Sequence, residues 1–430
     1  MHKTNLSLPG PDNTLRQTLP NGITVLAREN FASPAVVISG YLEAGSEDEP
    51  LEQAGLSAFT DEVMERGTHR RSFAQLYEEV ESVGASFGLG SGVHLTSFGA
   101  KGLVEQLPLL LDILNDVLRN PAFPPEQIER ARGEILSALR EQEHSTRARA
   151  NRAFHELAYP AEHPYHRRVS GTPETITNIT RDAMRAFHER YFSPQGMVIA
   201  IVGAVKATEA LKAVTEIMGD WSARRPARSP LPDVPALAAI SRQTIAIPEK
   251  TQSDLVLGWP GPPRRSPDFL SCYLANTVLG VFGMMGRLGE RVRSQNGLAY
   301  YVYSRVDGGT GPGPWQTNAG VNPANVAAAI EMILDEVQRL REERITDAEL
   351  NDSKAYLTGS LPLQLETNEG VAQTLTNIER YGLGLDYLRR YREIIMNITA
   401  AEAQTAARRW LDPQHYALAI AGPPDDTQSQ

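Results

Sequence analysis

Residues 178–203, NITRDAMRAFHERYFSPQGMVIAIVG, and residues 397–422, NITAAEAQTAARRWLDPQHYALAIAG, align without a gap. Asn178/Asn397, Ile179/Ile398, Thr180/Thr399, Arg190/Arg409, Pro194/Pro413, Gln195/Gln414 and Gly203/Gly422 are identical pairs at one constant offset. A repeat of this kind constrains the fold more than local propensity does, because each copy must build the same supersecondary unit. In both copies a threonine, Thr180 or Thr399, stands where an N-cap is needed ahead of a polar, Ala- and Arg-rich helical pattern. A Ser-Pro or Asp-Pro turn stops the helix, and a continuous apolar run then ends at glycine. The runs, 197–202 and 416–421, suit buried strands. Two homologous halves are expected.

The flanking sequence agrees with that division. In the first half, 23–27 and 36–42 read as strands, 54–65 and 73–83 as helices, and 86–100 as a strand. An apolar helix at 103–118 and one long charged helix at 125–157 follow. In the second half, strand-like 244–247 and 253–258 precede a helix at 266–281, strands at 299–305 and 315–321, and helices at 323–342 and 347–356. Strands and helices interleave without strict βαβ alternation, so each half is an α+β unit. Residues 1–221 and 242–430 are the expected halves, and 222–241, rich in Pro, Arg and Ala, is the expected linker.

Composition narrows the function. A net charge of −10 argues against non-specific nucleic-acid binding, which needs a basic surface. Cys272 is the one cysteine, so an internal disulfide and a cysteine-built zinc site are excluded, and its apolar surroundings suggest a buried, inert thiol. No run approaches the about 18 apolar residues of a membrane span, and the N-terminus lacks a secretory apolar core. The expected location is cytoplasmic, or periplasmic if a leader preceded residue 1.

Nine histidines offer no HExxH, HxxEH or HxH array. His163 and His166 lie in a proline-broken loop, and His144 and His155 are about three turns apart on the expected long helix. There is no GxSxG elbow and no phosphate loop. The glycine-bearing run at 280–286 is explained as well by packing as by function.

The segment 55–68, GLSAFTDEVMERGT, resembles the zinc-binding helix of the insulinase (pitrilysin-like) peptidases, with pattern G-L-x-H-x-x-E-H-x-x-x-x-G-T. The resemblance places the first ligand histidine on Ala58, the catalytic glutamate on Asp61 and the second ligand histidine on Glu62. The family's third ligand, a downstream glutamate, falls on Ala138 in ERARGEILSAL. Two adjacent carboxylates without imidazole do not make a zinc site, and alanine has no donor. A harder metal on Asp61 and Glu62 needs more oxygen ligands than the sequence offers there. The segment beginning at His163-Pro-Tyr-His166 is similar to the family's H-P-Y…G-T-P stretch. Residues 286–304, GRLGERVRSQNGLAYYVYS, resemble its R-x-x-x-G-L-A-Y motif, which puts the family's arginine and tyrosine on Arg293 and Tyr300.

The resemblance implies the LuxS/MPP-like metallohydrolase fold and the non-metal subunit of a two-chain zinc peptidase. No cofactor is expected in this chain. A homologous partner with an HxxEH helix would hold the zinc and the general base. Arg293 would bind a carbonyl or carboxylate through its planar fork, and Tyr300 would donate to the oxyanion. Substrates would be unfolded peptides added as a strand, with 86–100 the candidate edge. The other reading is an inactive scaffold subunit, like the core proteins of respiratory complexes.

Overall fold

The computed structural model describes residues 8–281 and 286–424. In chain order, the first elements are β1 (Leu15–Thr18), β2 (Thr24–Glu29), β3 (Ala35–Leu42), α1 (Leu56–Met64) and α2 (Phe73–Glu81). Next come β4 (Ser86–Ser91), β5 (Thr96–Leu103), α3 (Leu107–Arg119), α4 (Pro125–Glu143), α5 (Thr146–Ala158) and α6 (Pro173–Asn178). Then follow α7 (Arg181–Tyr191), β6 (Val198–Gly203), α8 (Ala207–Met218), β7 (Ser241–Ala246), β8 (Ser253–Pro260) and α9 (Phe269–Gly280). The chain continues through β9 (Ala299–Val306), β10 (Pro314–Val321), α10 (Val326–Glu342) and α11 (Asp347–Gln364). It closes with α12 (Asn368–Tyr381), α13 (Tyr387–Asn397), α14 (Ala400–Trp410) and β11 (Ala417–Gly422).

There are two sheets with helices packed on them, ordered β1-β2-β6-β3-β5-β4 and β7-β11-β8-β10-β9. In the first, β2 and β6 run parallel and β6-β3-β5-β4 antiparallel. The second repeats this with β7 and β11 parallel and β11-β8-β10-β9 antiparallel. The repeat seen at 178–203 and 397–422 therefore extends to five strands per half. Its apolar runs are β6 and β11, interior strands buried along their whole length, which is why they show no polar alternation. Thr180 and Thr399 cap the preceding helices through the amides of Ala183 and Glu402. The closing glycines are steric necessities: a Cβ on Gly203 would stand 2.3 Å from the Ala35 carbonyl oxygen, and one on Gly422 2.1 Å from Ser253 Oγ.

The compact units are not contiguous in sequence. One comprises 1–137, 168–229 and 360–392, and the other 138–167, 230–359 and 393–430. The expected single helix over 125–157 is interrupted at His144 and Ser145, where Ser145 caps α5 by accepting from the Ala148 amide at 3.2 Å. That break frees α5 from the first half. It lies on β8 and β11, where Phe154, Ala150 and Ala153 meet Val256, Ala417 and Ala419 in one buried cluster. Reciprocally α12, from the second half of the sequence, lies on β6 and β3. The two helices serve repeat-related strands. The stretch 86–100 is a hairpin rather than one strand, with β4 at the sheet edge.

Residues 222–241, expected as a linker, are divided between the units at Ser229/Pro230. Their first part is strapped down: Arg225 Nη1 lies 2.8 Å from Glu43 and Arg228 Nη2 2.7 Å from Asp48. Among the described residues no helix is long and apolar enough to cross a membrane.

Phe154 is fully buried in the α5 cluster. Phe154→Ala is expected to destabilise the unit containing β8 and β11 by about 3–5 kcal/mol, measured by denaturant titration of tryptophan fluorescence. A loss below about 1 kcal/mol would show that α5 is not part of that core.

Candidate functional site

Helix α1 carries three of the expected positions. Gly55, at φ 95°, starts it where a Cβ would crowd Gly171 Cα at 2.9 Å. The Glu49 carboxylate accepts from the amides of Gly55 and Ser57 at 2.9 and 2.8 Å, satisfying two free N–H groups of the first turn. Ala58 is half-buried and brings no donor. Asp61 is only 3% exposed; its Oδ2 accepts from Thr96 Oγ1 at 2.9 Å, and Oδ1 has no partner among the described residues. Burial pushes this carboxyl well above the usual carboxylate range, the Thr96 hydrogen bond opposes, and the Glu65 charge adds to the rise. Asp61 is thus turned into the core, where its neutral form is favoured.

Glu62 is exposed and already paired. Arg66 binds it through Nε at 3.2 Å and through Nη2, and the same Nη2 lies 2.6 Å from Glu134 of α4. A guanidinium therefore already bridges the two carboxylates nearest that position. Ala138 is exposed on α4. The residues present do not fit a zinc ion: two alanines without donors, a carboxyl withdrawn to a threonine, and a carboxylate held by arginine. Among the described residues no group of three His, Cys, Asp or Glu is placed to hold a metal.

The Arg/Tyr segment lies in the other unit. Residues Gly289–Gln295 wind as a π-helix, with Leu288 and Val292 fully buried. Two arginines pin it. Arg287 grips Glu349 of α11 through Nε at 2.6 Å and Nη2 at 3.1 Å. Arg291 Nη1 reaches Glu336 of α10 at 2.8 Å and Nη2 reaches Asp335 at 3.0 Å. Against the penalty of burial, the Arg287 fork and the Thr346 hydrogen bonds bring Glu349 down to about 2. Arg293, half-buried, stands on the last turn of this anchored segment. Gly297, at φ 62°, closes the turn by donating to the Arg293 carbonyl at 3.0 Å. The run 280–286 that sequence singled out lies largely outside the described residues.

Tyr300 is placed by a bulge. In the β9–β10 ladder Tyr301 faces Gly320 and Ala299 faces Val321, so Tyr300 is the extra residue without an opposite number. Its side chain is 58% exposed, the most open position on β9. The next tyrosine turns inward. Tyr301 donates to Asp254, which also accepts from Thr146, and the Arg147 guanidinium stacks 4.8 Å from the Tyr301 ring while donating to Tyr303 Oη at 2.9 Å. Sequence reading did not find Glu65, Arg66, Thr96 or the Asp254–Tyr301–Arg147 group. Apart from the Arg66–Glu62 pair one turn apart on α1, their partners lie far apart along the chain.

His155, His163 and His166 are structural. His155 Nδ1 pairs with the Tyr165 carbonyl at 2.9 Å and His166 Nδ1 with the Tyr159 carbonyl at 2.9 Å. The Tyr159 ring stacks on His155 and His163, and Tyr165 Oη accepts from the Gly311 amide at 3.0 Å, fastening the H-P-Y loop to the glycine loop before β10.

The comparisons agree with this architecture. Residues 24–172 match the family model described as Insulinase (Peptidase family M16), and residues 178–357 match Peptidase M16 inactive domain. The chain belongs to peptidase family M16. It is 26% identical to an uncharacterized zinc protease of Streptomyces coelicolor over 96% of this chain and 90% of that protein. It is 25% identical to a probable mitochondrial-processing peptidase subunit beta of Arabidopsis thaliana, covering 99% of this chain and 81% of that one. Its fold is that of the crystal structure of a peptidase M16 inactive domain from Pseudomonas fluorescens, with TM-score 0.90, 23% identity, and coverage of 96% of this chain and 98% of that one.

The Arg287–Glu349 pair makes a pH prediction. Glu349 is depressed in the folded chain, so its contribution is present above the unfolded value of about 4.5 and lost as pH falls toward about 2. Allowing for partial exposure, Arg287→Met is expected to cost about 2–3 kcal/mol at neutral pH and to flatten the loss of stability in that acid window. Acid-unfolding curves of wild type and variant test it; parallel curves would refute the linkage.

Proposed function

We propose that this chain is the non-metal subunit of a two-chain M16 peptidase, presenting Arg293 and Tyr300 to a peptide bound beside the metal centre of a homologous partner. The observation that carries this reading is the bulge at Tyr300. A strand otherwise paired in register spends one residue to leave a phenol exposed. The segment before it is held by two arginine–carboxylate anchors. Bulges and rigid anchors of this kind occur where a side chain must be aimed.

In the same chain α1 has lost the donors for a metal of its own, so any hydrolysis must use a metal held elsewhere. Arg293 would hold a peptide carbonyl or carboxylate with its planar fork, and Tyr300 would donate a hydrogen bond from its hydroxyl to the carbonyl oxygen as charge develops there. The relative named as a subunit beta is consistent with a multi-chain assembly. The edge strand β4 is the surface that would take an extended peptide as an added strand.

The test is to assay the purified chain, a homologue with an intact HxxEH helix, and their mixture on an internally quenched peptide, with and without a chelator. The mixture alone should turn over, and chelator should abolish it. Tyr300→Phe in this chain should lower kcat by about 10²–10³-fold with the complex still assembled by size-exclusion chromatography. Turnover by the isolated chain would overturn the proposal. Full activity of the Tyr300→Phe complex would favour a scaffold role instead.

A further inference from the structure

We infer that Glu65 is a carboxylate clasp that closes the free edge of β4 against an added peptide strand. This deepens the reading that β4 receives extended peptides and rests on it.

β4 is bonded to β5 on one side only, and in an antiparallel ladder alternate residues direct their N–H and C=O groups to the open side. The Leu89 amide is one of these, because it donates to Glu65 Oε1 rather than to β5. Phe87 and Ser91 share its parity. Glu65 is the C-cap residue of α1, and at the other end of that helix Ser57 Oγ meets Ser91 Oγ at 2.7 Å. The helix is thus fastened to the edge at both of its ends. Covering an edge with a helix is a common protection against unwanted strand pairing, and here Glu65 is the side chain that takes up a backbone donor of the edge.

The stretch before the clasp is less covered. Ser86 is exposed, and a cavity of about 300 Å³ lies over the adjoining sheet face, bordered by Ser39 of β3, Gly88 of β4, Gly99 of β5 and Gln373 of α12. A Cβ built on Gly88 would touch nothing within 4 Å. A peptide can therefore approach β4 at Ser86–Gly88 but cannot pair with Leu89 until Glu65 leaves. The backbone hydrogen bonds so withheld shorten the strand that can be added.

The surroundings of Glu65 make the clasp responsive to pH. Asp61, Glu62 and Arg66 on its own helix and Tyr77 of α2, whose Oη lies 3.4 Å away, are the titratable groups facing it. Burial raises Glu65 to about 7, the Leu89 amide opposes, and the Glu62 charge adds to the rise. A carboxyl swung into water has the ordinary value, so protons favour the closed position, and that advantage falls as pH rises from about 4.5 to about 7.

The experiment is amide hydrogen exchange, read by mass spectrometry on peptides covering residues 86–91, for the full chain and two variants between about pH 4.5 and 8. Exchange is corrected for its intrinsic pH dependence. Wild type should lose protection as pH rises. Glu65→Gln keeps an uncharged acceptor and should stay protected throughout. Glu65→Ala should exchange about tenfold faster at every pH, with its thermal midpoint confirming a folded chain. A short fluorescein-labelled unstructured peptide should bind Glu65→Ala about tenfold more tightly than Glu65→Gln, by anisotropy. Equal exchange in all three proteins would overturn the clasp. Fast exchange in Glu65→Ala with unchanged peptide affinity would overturn β4 as the peptide surface, a failure separate from that of Tyr300 in the two-chain assay.

Discussion

Two interior strands, β6 and β11, are apolar on both faces, and everything else in the molecule is arranged around covering them. Every residue of Val198–Gly203 and Ala417–Gly422 is buried. A strand of this kind needs a helical layer on each side, because an open face would leave several large side chains in water at about 1.5–3 kcal/mol each. One layer comes from the helices of the same half. The other is α5 or α12, each contributed by the opposite half of the sequence. Neither unit is complete from contiguous chain, so the two halves are obliged to fold together.

The same architecture accounts for the fate of the two site regions. The β4 and β9 edges are repeat equivalents, each the outermost strand beside β5 or β10. At β9 the edge carries a bulge that throws Tyr300 outward. At β4 the edge is held by the helix beside it, through Glu65 and Ser57. In α1 the loss of metal donors is not a bare deletion. Asp61 has been recruited by Thr96, and Glu62 with Glu134 forms a carboxylate pair around Arg66. Restoring histidine at Ala58 and Glu62 alone would leave a guanidinium among the ligands and the shortened base facing the core.

Much of this was legible in the amino-acid order. The repeat announced two α+β halves, and the apolar runs ending at glycine marked the central strands. The pattern around Ala58, Asp61 and Glu62 located α1, and the R-x-x-x-G-L-A-Y resemblance located Arg293 and Tyr300. Other parts were hidden for stated reasons. The break at His144–Ser145 was missed because the charged pattern continues through it, although Ser145 is a good cap. The segment 86–100 read as one strand because the turn between β4 and β5, Gly92-Val93-His94-Leu95, carries apolar residues that continue the strand pattern. Three arginines stand in the motif segment, and only their partners on α10 and α11 distinguish the anchors Arg287 and Arg291 from Arg293.

The sequence by itself determined the repeated α+β plan, the absence of imidazole from the zinc-helix positions, and the spacing of arginine and tyrosine. These are properties of local order, carried by periodicity, capping and residue type. Only the tertiary structure decided which unit each helix serves, that Asp61 is withdrawn and Glu62 joined to Glu134 through Arg66, that Tyr300 rather than Tyr301 faces outward, and that Glu65 accepts from the Leu89 amide of an edge strand. Each of those depends on groups brought together from distant parts of the chain, where burial and pairing, not sequence neighbours, set the charge and direction of a side chain.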